Sequence, residues 1–153
     1  MAFKEVKQLA TEQEYEIICK QYDELKQHIK DCIEFEDFEV LSSYDITKIK
    51  ELHYQKSVLF WQMKVNATRS KIDHVKKRGE RSIECCELYI KYYMYMMELK
   101  QAECKAKGDN FSYNRYHKPV LENKVMQWQL RLENSKKLRK METGKPKSVE
   151  VIP

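Results

Sequence analysis

The sequence predicts an all-α protein of long helices, arranged as a helical hairpin or coiled-coil-like bundle and assembled from several copies of the chain. Three observations carry this expectation. Among 153 residues there are only 3 Gly and 3 Pro, too few for the turns and crossovers of a sheet protein, which need residues that accept a positive φ or fix it. Apolar residues recur at alternating gaps of three and four, the period of a helix face rather than a strand. No window approaches the roughly eighteen consecutive apolar residues of a membrane span, so the helices read as water-facing.

The organisation follows in order along the chain: an acidic helix and loop over residues 1–45, a long basic helical region over 46–107, a linker over 108–119, a helix over 120–141 and a disordered tail over 142–153. In the first piece, TEQE marks a helix start, because Thr11 can accept from the backbone N–H near Glu14 while Glu14 reaches back. Tyr15, Ile18, Tyr22, Leu25, Ile29 and Cys32 then line one seam, which a second helix has to cover. The acidic, aromatic stretch EFEDFEVLSSYD loses the period and reads as a loop or short extended piece around residues 34–44.

Asp45 is the expected N-cap of the next element. It runs without a proline to about Lys107 and places Ile49, Leu52, Leu59, Phe60 and Met63 on one face, then Ile83, Cys86, Ile90, Tyr93 and Met97 on another. Unbroken, some sixty residues at a rise of 1.5 Å would reach roughly 90 Å, more than one small chain can cover. Either it folds back near Gly79 as a hairpin, or it projects and other copies cover it. KAKGDNFSYNRYHKP supplies stop signals in Gly108, Asp109, Asn110 and Pro119. The last helix aligns Leu121, Val125, Trp128 and Leu132, and the polar TGKPKSVEVIP after it reads as unstructured.

Charge is uneven along the chain. Residues 1–45 hold 12 acidic and 5 basic residues, net −7; residues 46–107 hold 7 and 14, net +7; residues 108–153 hold 5 and 10, net +5. An acidic arm before a basic body can steer polyanions to the body, or pair the arm with a neighbouring copy. The basic run Arg69, Lys71, Lys76, Lys77, Arg78 and Arg81 covers a wide arc and suits a phosphate backbone, bound without regard to sequence and weakened by salt. A solvated face of a long helix is the competing reading.

ELYIKYYMYMMELK, residues 87–100, poses the sharpest question. One seam accounts for only part of its tyrosines and methionines, so the helix is amphipathic around most of its circumference and has to be enclosed. Tyr89, Tyr92, Tyr93, Tyr95, Met96 and Met97 are therefore expected at an interface between copies, since tyrosine and methionine are favoured there. A core within the chain and a stacking platform for bases are the alternatives. Cys19, Cys32, Cys85, Cys86 and Cys104 are odd in number and show no CxxC spacing, so neither a disulfide framework nor a metal site is expected. Four scattered histidines and no phosphate loop leave no catalytic constellation. The expectation is a cytoplasmic non-enzyme without cofactor, metal or membrane contact.

From Leu25 to Tyr93 the order of features resembles the UvsY family, the recombination mediator proteins of T4-type bacteriophages. The matching pieces are Lys30-Asp31, the acidic EFEDFE, Leu52-His53 within TKIKELHYQ, a lysine-rich helix, and Tyr92-Tyr93. The resemblance implies an accessory factor of an infected host cell that forms ring-like homo-oligomers and binds single-stranded DNA. It also implies contacts with a recombinase and a single-strand-binding protein, which the first displaces with this factor's help. The family's DNA-binding basic residues fall near Glu87 and Tyr89 here, so the resemblance leaves that role to Lys91 and to the earlier Lys76, Lys77, Arg78 and Arg81. The competing function is a helical structural or adaptor protein of a larger assembly.

Overall fold

A computed structural model describes the backbone of residues 3–36, 43–79 and 82–151, and the side-chain surroundings of residues 10–36, 44–79 and 82–141. Every regular element among them is helical: α1 (Phe3–Glu34), α2 (Ser43–Lys76), α3 (Ile83–Ala106), the single turn α4 (Asn110–Ser112), a π-helical turn (Tyr113–His117) and α5 (Lys118–Val151). No helix among the described residues is long and apolar enough to cross a membrane.

α1 starts at Phe3, upstream of the expected capping box, and Thr11 and Glu14 lie in its interior. FKEVKQLA contains no helix breaker, and extending a nucleated helix costs far less than starting one. The helix closes where Phe35 N–H reaches the Asp31 carbonyl at 3.0 Å and Glu36 turns to φ +55°. The acidic loop is thereby shortened at both ends, and its residues 37–42 lie outside the described residues. α2 begins two residues before Asp45, which sits in its first turn, 3.8 Å from His28 of α1, instead of capping it.

The long helical region of 46–107 is a hairpin of two helices. Arg78 N–H bonds the Val75 carbonyl at 2.9 Å and Gly79 N–H that of Lys76 at 3.2 Å, after which Gly79 takes φ +151°, a conformation side chains disfavour. Ser82 then caps α3, its hydroxyl accepting from Cys85 N–H at 3.2 Å. At the other end of α3, Gly108 enters the left-handed region at φ +69° while Asp109 N–H bonds the Cys104 carbonyl at 2.8 Å.

The expected linker 108–119 is mostly helical. Asp109 restarts the chain by accepting from Ser112 N–H at 3.1 Å. Pro119 offers no N–H to the Arg115 carbonyl and its ring would crowd it; the wider π turn directly ahead makes room. α5 begins at Lys118 and continues to Val151, through most of the expected tail, because residues added to a running helix pay no nucleation cost. Residues 152 and 153 lie outside the described residues.

The long helices form an open antiparallel row. α1 packs on α2, α2 on α3 and α3 on α5, and among the described residues no close backbone approach joins α1 to α3 or α5, or α2 to α5. Tyr15 meets Phe60 and, seven residues on, Tyr22 meets His53 seven residues back, which sets the antiparallel register of α1 and α2. The predicted seams hold: Cys32, Leu52 and Trp128 are buried with their neighbours half-buried, although Phe60 turns outward. The densest core lies at the hairpin end, where Ile72 and Val75 of α2, Cys85, Cys86 and Tyr89 of α3 and Trp128 of α5 pack together. None of the five cysteines is in a disulfide, and four are buried.

Candidate nucleic-acid interface

The cations singled out in the sequence do not form one surface. Arg69 and Lys71 are two residues apart on α2, about 200° around a helix, and so point to opposite flanks. Arg69 is engaged locally, 3.7 Å from Asp73 and with its guanidinium 5.7 Å from the centre of the Tyr92 ring. Lys76, Lys77 and Arg78 do gather, at the hairpin tip, and all three are exposed. There they also oppose the negative end of the α2 dipole. Lys91 is exposed midway along α3, and Arg81 lies outside the described residues.

The tyrosine-rich helix is partly covered by its own chain. Tyr89 is 7% exposed and stacks on Trp128 of α5 at 4.0 Å and 7° between planes. The Arg131 guanidinium sits 4.4 Å from the same indole. Tyr95 faces the other neighbour, 6.0 Å from Trp61 of α2. Positions 85, 88, 92, 95, 99 and 102 thus form a second seam towards α2, overlaid on the predicted one towards α5. Tyr89 cannot serve an interface between copies while the fold holds, because Trp128 already covers it. Tyr92, Tyr93, Tyr95, Met96 and Met97 are half-buried, and Met94 is exposed. Burial raises the Tyr93 phenol above its ordinary pKa, with Tyr92 and Tyr89 adding to the rise and Arg69 and Arg131 opposing it.

Two clefts lie along the α1–α2 seam. One, of about 490 Å³, is an apolar groove between α1, α2 and the end of α3, lined by Ile17, Ile18, Val58, Leu59 and Ala106 with Glu14, Glu103 and Lys107 at its rim. The other, of about 400 Å³, is aromatic and cationic: Tyr15, Tyr22, His53 and Phe60 supply rings, Lys26 and Lys56 ammonium groups, and Ser57 completes it. Lys56 Nζ is 4.9 Å and Lys26 Nζ 5.9 Å from the centre of the Tyr22 ring, and Lys64 Nζ is 5.6 Å from that of Phe60. In the sequence Tyr15, Tyr22 and Phe60 stand out only as seam residues, and His53 only in the Leu52-His53 pair. A signal was nonetheless there: the twenty residues from Leu52 to Lys71 contain no Asp or Glu.

Comparison with known protein families, curated proteins and solved structures finds no match to this chain.

Proposed function

We propose that this chain is a non-enzymatic accessory factor that binds single-stranded DNA and acts as a recombination mediator, helping a recombinase take the place of a single-strand-binding protein. The observation that carries the reading is the acid-free stretch of α2 from Leu52 to Lys71, which leads into the exposed Lys76, Lys77 and Arg78 on a helical scaffold. Cations gathered at one end of a helix, with no acid along the twenty residues from Leu52 to Lys71, give sequence-blind affinity for a polyanion. The order of motifs shared with the UvsY family supports the more specific role, and membership of that family is part of the proposal. Assembly into homo-oligomers also belongs to it, since several weak strand contacts on one particle add as avidity.

The test is equilibrium binding of a labelled oligonucleotide over a range of salt. Affinity should fall steeply with ionic strength, with a log–log slope of about −0.7 for each phosphate neutralised on a single strand. Salt-independent binding, or none, rejects the reading. Sedimentation with and without the oligonucleotide reports assembly separately.

A second reading, an adaptor docking into a larger assembly, is favoured by the apolar groove beside Ile17, Val58 and Leu59. Grooves of this kind take the apolar face of a partner helix. An Ile17→Glu change that abolishes capture by a partner while leaving oligonucleotide affinity intact would favour the adaptor.

A further inference from the structure

The hairpin tip gathers Lys76, Lys77 and Arg78, yet none of these described residues is aromatic. The cleft between α1 and α2 carries both chemistries. Its two ring pairs, Tyr15 with Phe60 and Tyr22 with His53, are each 6.3 Å apart between centroids. They lie seven residues, and so roughly 10 Å, apart along the helices. The planes within each pair are tilted by 44° and 41°, so neither pair is face-to-face stacked. Phe60 is 37% exposed although it lies in a predicted core seam, and His53 is exposed as well. Lys26, Lys56 and Lys64 hold their ammonium groups within 6 Å of the rings. α1 carries acids, but none of the residues lining this cleft is acidic.

Partly exposed rings with ammonium groups over them, in a cleft lined by no carboxylate, suit one ligand chemistry in particular: a flat unpaired base carried on a phosphodiester, the base displacing the lysines from the ring faces onto its phosphates. A duplex keeps its base faces stacked inside, so only a single strand can offer them. We propose that the α1–α2 cleft is the base-stacking site of the chain, taking unpaired bases on Tyr22 and Phe60 with Lys26, Lys56 and Lys64 on the adjoining phosphates. This rests on the strand-binding reading above and moves the site from the hairpin tip to the opposite part of α2. It also predicts what charge alone does not, namely discrimination between a strand with bases and a strand without them.

The experiment measures anisotropy of the full chain with a labelled deoxythymidine oligonucleotide and with an abasic strand of equal length. The native chain should bind the thymidine strand roughly tenfold or more tightly, the size expected from one or two stacked bases. Tyr22→Leu/Phe60→Leu should remove that preference, bringing the affinity for the thymidine strand down to that for the abasic strand. Lys56→Gln/Lys64→Gln, which removes both charges and keeps a polar chain at the half-buried position 56, should weaken both strands and flatten the salt slope by about 1.4. If the Lys56→Gln/Lys64→Gln chain binds like the native one while Lys76→Glu/Lys77→Glu abolishes binding, the cleft is not the site although strand binding stands. Equal affinity of the native chain for thymidine and abasic strands overturns the stacking site in the same way. No binding of either strand by the native chain overturns this site and the proposed function together.

Discussion

Trp128 holds the row together at its hairpin end, lying between the Tyr89 ring at 4.0 Å and the Arg131 guanidinium at 4.4 Å with 6% of its surface exposed. Trp128→Ala removes the stack and leaves a cavity in the cluster that holds Cys86 and Tyr89, so it should cost about 3–5 kcal/mol in chemical denaturation. Tyr93, next to this stack, makes a second residue-scale prediction. Its folded pKa is raised above the ordinary 10.0, so the neutral phenol is favoured in the fold. The stability it contributes is fully present below pH 10 and is lost as pH rises through the raised folded value. Burial raises the Tyr113 phenol in the same direction. Tyrosinate absorbance followed beside far-ultraviolet dichroism should show ionisation together with loss of helix, and Tyr93→Phe should reduce the alkaline loss of stability.

Two glycines delimit the helices, and their backbones differ. At Gly108, φ is +69°, the ordinary left-handed cap, which asparagine also tolerates. Gly108→Ala should cost about 1–2 kcal/mol, and Gly108→Asn less. Gly79, at φ +151°, lies where side chains rarely go, yet an added Cβ would meet nothing within 4 Å. The cost of Gly79→Ala is therefore backbone strain alone, about 1–3 kcal/mol, and cavity-relieving changes nearby should not rescue it. Urea midpoints of the three variants check the ranking. A Gly79→Ala chain as stable as the native one would mean that the hairpin turn does not depend on glycine.

An open row differs from a closed bundle in how stability is distributed. α3 is covered by α2 on one side and α5 on the other, whereas among the described residues α1 packs along α2 and α5 along α3, each as an edge of the row. Elements with fewer buried neighbours open at lower free energy. Hydrogen exchange should be faster in the edge helices α1 and α5, away from Trp128, than around Ile72, Cys85, Cys86 and Tyr89 at the hairpin end. Uniform protection along the chain would show that the edges are covered in solution, as assembly of several copies would do. The open row also creates the α1–α2 clefts, since no third long helix lies over that seam along most of its length.

Helix content, the seams of α1 and α5, and the weak point at Gly79 are decided by local sequence: an apolar period and a scarcity of breakers specify a helix wherever it sits. Boundaries were less legible, because Thr11, Asp45 and residues 142–151 fall where the low cost of extending a helix overrides a local stop or start signal. The candidate site was half legible. The acid-free run from Leu52 to Lys71 is visible in the letters, but that Arg69 is occupied by Asp73 and Tyr92 is not. Periodicity says that Tyr89 must be covered, not by what. Only the tertiary structure chose Trp128 of the same chain over a neighbouring copy, because the partner of an apolar face is set by how the helices fold back on one another, at distances no local pattern encodes.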